Sequence, residues 1–248
     1  MPNINRSSDE ELVEAYKKIS TRYEKVKRKP WKDFQTYMDK VSSLHPLPSS
    51  GILVDVGAGN SRNLLRFAET ELDLIALDLS FDLLSNSIDL PPSNHFRVNN
   101  DMKYLSIKNN VACMILSIAT IHHLRKKSET VLSLKQLSSI LKDDGYIVLS
   151  CWRRWKSDTR RKMIVDLFLS PFKKLKNLHW RHGDLYLHWF DENKKIIAER
   201  YYHLFTKREL VSSINKANLR ILDIAACGGK GGKDNFFVLL KKKISYVN

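Results

Sequence analysis

Cysteine is scarce in this chain of 248 residues. Cys113, Cys151 and Cys227 lie far apart and none belongs to a CxxC pair. Neither an encoded zinc site nor a disulfide framework is expected, and a reduced compartment fits. No apolar run reaches the roughly 18–20 residues that a bilayer span requires. The opening MPNINRSSDEEL lacks the apolar core of a signal peptide. A soluble, cytoplasmic protein with no membrane partner is therefore expected. Hydrophobic residues make up 43% and charged residues 28%, which provides for a proper core. That composition excludes disorder, collagen and coiled coil as global descriptions.

Acid is also in short supply. Lysine and arginine number 42 against 27 acids, a net charge of +15. The surplus is uneven. Residues 51–150 hold 10 basic and 11 acidic side chains, whereas residues 151–182 hold 10 and 2. A local basic surplus is the footprint of a polyanion, most often nucleic acid. The plainer reading is a solvated charged surface.

The pattern reads as one domain, 1–248, with an N-terminal helical cap at 1–45 and a basic insert at 151–199. Ser8–Lys27 has helical spacing of Leu12, Tyr16, Ile19, Tyr23 and Val26, and Ser8 with Glu11 suggests a capping box. Pro30 ends that helix, and a shorter one follows over Trp31–Ser42. Short, continuously apolar strands then alternate with helices: 52–56, 74–77, 95–98, 112–119 and 146–151. This is the signature of a parallel sheet covered on both faces. From Trp152 to Glu199 the alternation stops, and the stretch reads as an insert lying over the sheet's edge. Thr206–Ala217 returns to helix, with Thr206 and Glu209 as a second box. Leu219–Ala225 and Phe236–Leu240 read as two strands. The Gly228-Gly229-Lys230-Gly231-Gly232 run between them is a hairpin connection, since no helix follows it to make a phosphate loop.

Chemistry concentrates around Asp55-Val56-Gly57-Ala58-Gly59-Asn60. Glycines directly after a strand let the backbone approach a ligand closely. The third glycine of a dinucleotide fingerprint is missing, because position 62 is Arg. Asp78 ends the second strand, where a carboxylate accepts both ribose hydroxyls, and Asp101-Met102 follows the third, where an acid receives an adenine amino group. The combination resembles the class I S-adenosylmethionine-dependent methyltransferases. Ser117 and the His122-His123 pair lie at the carboxyl end of the fourth strand, the ligand edge of open α/β sheets. One of the two histidines is expected to point inward.

Three further pieces are Arg28-Lys29-Pro30-Trp31, Gly183-Asp184 with Trp189, and Arg200-Tyr201-Tyr202-His203-Leu204-Phe205. With the glycine turn and the Ile-His-His stretch they closely resemble the tRNA wobble-uridine methyltransferases, including the methyltransferase domain of the AlkB-homologue tRNA hydroxylase. The resemblance runs from about Tyr16 to Leu240. It implies a Rossmann-like α/β fold with helices on both faces and a C-terminal antiparallel hairpin. It implies methyl transfer from S-adenosylmethionine to the carboxylate of a 5-carboxymethyluridine at the first anticodon position. The expected partners are the tRNA anticodon stem-loop and a small zinc-binding activator subunit, which would bring any zinc. The sequence departs from the family in Gly-Ala-Gly-Asn-Ser for Gly-Cys-Gly-Asn-Gly, in Lys32 for proline, and in Trp152-Arg153-Arg154-Trp155 for a more acidic stretch.

A carboxylate is ionised at neutral pH and needs no general base, so alignment is the enzyme's task. Arg200 suits one carboxylate oxygen. Tyr201 and Tyr202 suit a splayed base. His122, His123 and Asp184 complete the expected catalytic set. Tyr16, Arg28, Asp55, Gly57, Gly59, Asn60, Asp78, Asp101, Met102 and Ser117 form the expected cofactor set. A small-molecule methyltransferase and a non-catalytic scaffold are the alternatives. The basic segment disfavours the first, and the intact acids and glycines disfavour the second.

Overall fold

The computed structural model describes residues 7–88, 90, 95–176 and 180–243. Five strands, β1 (Ser50–Val56), β2 (Glu71–Asp78), β3 (His95–Asn99), β4 (Ala112–Ile118) and β5 (Leu141–Trp152), run parallel. β6 (Asp184–Phe190) and β7 (Ile196–His203) form a separate antiparallel hairpin. β8 (Leu219–Cys227) and β9 (Asn235–Lys242) pair antiparallel to each other, and β9 joins β5. The main sheet has the order β3-β2-β1-β4-β5-β9-β8. It is the mostly parallel α/β sheet with a C-terminal hairpin that the alternation implies. Among the described residues no helix is long and apolar enough to cross a membrane.

The apolar strands are explained by two-sided burial. Every residue of β4 is buried. Because side chains alternate across a strand, Ile115 packs on one face with Leu134 and Leu137 of α4 (Lys127–Ile140) and Leu210 and Ile214 of α6 (Lys207–Lys216). Met114 and Leu116 pack on the other with Phe34, Tyr37 and Val41 of α2 (Lys32–Leu44). The chain order reverses between β1 and β4, and a crevice at their carboxyl ends follows from that reversal.

Local signals select the rest. α1 (Ser8–Val26) starts on the Ser7–Glu10 capping box, one residue before the Ser8–Glu11 pair expected from sequence. Either pair satisfies the pattern. The observed register frees Glu11 to bond Arg125 and Asp9 to bond Lys103, 2.5 Å away. At α6, Thr206 accepts the Glu209 N–H, but the Glu209 carboxylate turns to His203 and Arg154, so only half of that box forms. The glycine run is a hairpin connection: Gly228, Gly229 and Gly232 have positive φ, and the N–H groups of Gly229 and Gly231 are bonded to Asp33 and Asp234.

Between β5 and β7 lie α5 (Arg160–Lys176) and β6. The β6–β7 hairpin packs Trp189, Ile197 and Ala198 against Ala15, Tyr16 and Ile19 of α1 and stands over the carboxyl end of β4. Two arginines that sequence alone makes part of a basic surface are engaged internally. Arg154 bonds Glu209 at 2.9 Å and the Leu204 carbonyl at 3.2 Å, and Arg153 bonds the Lys233 carbonyl and covers the Phe236 ring.

His203 is the keystone of this region. Its ring is fully buried, with Nδ1 2.5 Å from Asp184 Oδ1 and Nε2 2.8 Å from Glu209 Oε1. His203→Ala strips two carboxylates of a donor at once, at an expected cost of about 3 kcal/mol. The check is the urea midpoint; a wild-type midpoint contradicts this role.

Candidate active site

The crevice is a cleft enclosing about 1000 Å³, open mouth included. Its floor is Gly57, Ala58 and Gly59 after β1, Asp78 and Ser80 after β2, Asn100, Asp101 and Met102 after β3, and Ala119 and Thr120 after β4. Its roof is Asp9, Leu12, Val13, Tyr16 and Tyr23 of α1, with His123 at the far wall.

Backbone chemistry fixes the floor. Gly57 has φ +78°, and a Cβ there would fall within 2.1 Å of the Thr120 side chain. Gly59 has φ +57° and donates its N–H to Asp78 Oδ2 at 2.7 Å, while Ser80 N–H reaches Oδ1 at 2.8 Å. A carboxylate offers about four acceptor positions, so Asp78 keeps capacity for two ribose hydroxyls. Burial raises its pKa, and the N–H bonds from Ser80 and Gly59 oppose that rise. Asp101 accepts the Lys103 N–H at 2.8 Å, and Lys103 Nζ ties it to Asp9 in the roof.

Of the expected cofactor set, Tyr16, Gly57, Gly59, Asp78, Asp101 and Met102 line the cleft. Asp55 lies in β1 just below, buried, with neither carboxylate oxygen bonded among the described residues. Burial, and then the Asp78 charge, push its pKa up to about 8, against the pull of Arg62. Asn60 is buried and donates to the Lys27 carbonyl at 2.8 Å, a structural tie between two loops. Ser117 is buried inside β4, outside the cleft lining. Arg28 is exposed, its Nε 3.8 Å from Glu24, and it does not reach the cleft.

The histidines part ways. His123 lines the cleft and His122 turns inward among Trp152, Tyr202 and His123 rings. His123 Nδ1 is 2.9 Å from the Tyr201 carbonyl, which only accepts, so Nδ1 carries the proton. Its Nε2 then accepts the Tyr16 hydroxyl at 3.0 Å, and Tyr16 in turn accepts from Arg200 Nη1 at 3.5 Å. Burial holds the His123 pKa down to about 3, with the Tyr201 carbonyl opposing and Arg200 assisting, so the ring is neutral. Strand alternation puts Arg200 and Tyr202 on the same side of β7 and Tyr201 on the other. Tyr202 stacks on Trp152 at 4.6 Å, while the Tyr201 ring lies under Arg125. Asp184 does not join them. Its carboxylate is held by His203 and the Arg181 N–H, and it is not among the residues that line the cleft.

Sequence reasoning passed over Tyr23, Arg62 and Thr120, which also line the cleft. Tyr23 sits seven residues after Tyr16 and reads there as core periodicity. Arg62 registers only as a missing glycine.

An adenosyl cofactor with a positively charged methionine end fits these residues. Gly59 carries no side chain into the cleft, Asp78 has acceptor capacity to spare, and the unpartnered Asp55 carboxylate matches a cation above it. Asp78→Ala should weaken S-adenosylmethionine binding by roughly 2–4 kcal/mol, the worth of a charge-assisted hydrogen-bond pair. Calorimetry checks this, and unchanged affinity rejects the site. Asp55 also sets a pH signature in the free protein. Its folded pKa lies above the unfolded value, so its stabilising contribution is full in acid and is lost as pH rises to about 8. Asp55→Asn should gain melting temperature relative to wild type between about pH 4 and pH 8. A constant difference across that window contradicts the buried carboxylate.

Residues 31–224 match the family described as "Methyltransferase domain". A relative from Schizosaccharomyces pombe, named tRNA (carboxymethyluridine(34)-5-O)-methyltransferase, is 24% identical over 238 residues, 94% of this chain and 97% of that protein. A solved S-adenosylmethionine-dependent methyltransferase from Methanosarcina mazei superposes with a TM-score of 0.65 at 17% identity, covering 82% of this chain and 98% of its own. A Haloferax volcanii methyltransferase, solved in complex with the Trm112 methyltransferase activator, gives 0.62 at 11% identity over 96% of this chain and 100% of its own. The chain belongs to the methyltransferase-domain family and is an S-adenosylmethionine-dependent methyltransferase.

Proposed function

We propose that this enzyme methylates the carboxylate of a 5-carboxymethyl-type uridine at the anticodon wobble position of tRNA. The observation that carries the reading is the setting of Arg200. Its guanidinium lies 4.9 Å from the Trp189 ring, 5.5 Å from Tyr16 and 5.4 Å from Tyr202. Its Nε has no partner, and no carboxylate pairs with it among the described residues. A partly buried arginine held by aromatic faces, with donors to spare, suits a substrate carboxylate.

When bound, the cofactor supplies an electrophilic methyl group on its sulfonium. The residues of the chain supply geometry. A substrate carboxylate is already ionised, which agrees with a neutral His123 that takes no proton from it. His123 and Tyr16 act by holding Arg200 and the α1 roof in register. Tyr202, buried and stacked on Trp152, backs the Arg200 guanidinium from the core side.

The named activity of the Schizosaccharomyces pombe relative supports tRNA as substrate, and with it a cytoplasmic site of action. The Haloferax volcanii complex supports a small activator subunit as partner. Uncovered apolar side chains are available for one, Phe96 and Val98 on the edge strand β3 and Phe168, Phe172 and Leu175 on α5. The 151–199 segment serves in this reading as the insert that roofs the substrate side.

Arg200→Ala should lower methyl transfer to tRNA roughly 100-fold, the scale of a lost alignment contact, while S-adenosylmethionine still binds. Arg200→Lys keeps the charge but loses the planar fork, and should restore only part of the rate. Single-turnover kinetics at saturating tRNA measure this. A wild-type rate in Arg200→Ala removes the carboxylate clamp.

A further inference from the structure

We propose that the segment Lys25–Lys32, which spans the α1–α2 connection and the helix ends beside it, is a phosphate-binding strap that docks the RNA backbone at the mouth of the cleft. The proposal rests on the tRNA reading and adds to it the place where the polyanion lies. Arg22, Lys25, Lys27, Arg28, Lys29 and Lys32 put six cations into eleven residues, with Glu24 as the only acid among them. Glu24 is taken by Arg28. Lys25, Lys27, Lys29 and Lys32 are exposed, and among the described residues none has a carboxylate within salt-bridge distance.

The strap is held in place rather than left loose. The Lys27 N–H closes on the Tyr23 carbonyl at 2.9 Å, and the Lys27 carbonyl accepts from Asn60 at 2.8 Å. At the other end the Trp31 N–H donates to Asn63 at 3.2 Å, and the Trp31 ring packs on Phe237. Both asparagines belong to the segment that follows the cofactor glycines. Between them stands Arg62, which lines the cleft mouth. The strap thus enters the site from the side of the glycine turn, fixed in advance of any ligand.

A phosphodiester chain is the anion that fits. The cations recur along one exposed segment of chain, as suits a ligand carrying repeated charges. A lipid surface needs apolar side chains beside the lysines, and within Lys25–Lys32 the one exposed large hydrophobic residue is Val26. The basic segment after β5, which composition alone nominates, is partly spent: Arg153, Arg154 and Lys156 bond within the fold, and Lys173 pairs with Asp166.

The test is binding of a fluorescent anticodon stem-loop RNA to the full chain, measured by anisotropy over a range of salt. The strap variant is Lys25→Gln with Lys27→Gln and Lys29→Gln. The control of equal charge is Arg160→Gln with Lys162→Gln and Lys174→Gln, all exposed on α5. Loss of three phosphate contacts should flatten the log–log salt slope by about two to three in the strap variant. The α5 control should change it by less, and S-adenosylmethionine affinity should hold in both. An unchanged slope in the strap variant overturns the strap while leaving the tRNA reading intact. Equal flattening in both variants also overturns it, because the effect is then one of net charge. Wild-type protein that binds no RNA overturns the strap and the tRNA reading together.

Discussion

The site depends on one small hydrogen-bonded chain: Tyr201 carbonyl, His123, Tyr16 and Arg200. It joins the carboxyl end of β4, the β6–β7 hairpin and α1, three elements with no sequence proximity. The carbonyl fixes the His123 tautomer, the tautomer makes Nε2 an acceptor, and the acceptor turns the Tyr16 hydroxyl so that its oxygen faces Arg200. Remove any link and the roof, the wall and the guanidinium lose their common reference. Burial keeps the histidine neutral, so the chain is a positioning device and not a proton relay.

Beneath it lies an electrostatic arrangement of opposite sign. The Asp78 charge is close enough to push up the Asp55 pKa, Asp55 is fully buried and Asp78 half-buried, and both have raised pKa values. Asp78 is partly compensated by backbone N–H groups, and Asp55 is not. Such a floor is unfavourable by itself and is matched by a cation placed above it. The roof ion pairs Lys103–Asp9 and Arg125–Glu11 attach α1 over that floor. Asp78 lines the floor of the cleft with Asp55 beneath it, and Arg200 stands behind Tyr16 and His123, which line the cleft.

Much of this was legible in the sequence because the relevant signals are local. Continuous apolar runs mark β4 and β5 since both faces are covered, and Gly57 and Gly59 follow β1 because their φ values demand it. What was not legible depends on partners distant in sequence. Asp184 and Arg154 look like site or surface residues until His203 and Glu209 are seen to consume them. The choice between His122 and His123 rests on a carbonyl 78 residues further along the chain. Arg28 shares a motif with cleft residues, yet it lies just past the end of α1 and turns outward to Glu24. The capping register of α1 was ambiguous because Ser7 and Ser8 each precede a glutamate by three residues, and only the contacts of Asp9 and Glu11 decide between them.

The central claim is that the methyl acceptor is a carboxylate oxygen at the wobble uridine. It is tested most directly by incubating the enzyme with isotopically methyl-labelled S-adenosylmethionine and an anticodon stem-loop carrying 5-carboxymethyluridine, then digesting the RNA to nucleosides for mass spectrometry. The account predicts the label on the 5-substituent as a methyl ester, released by mild alkali. Label retained after alkali, on a base nitrogen or a ribose oxygen, would contradict it.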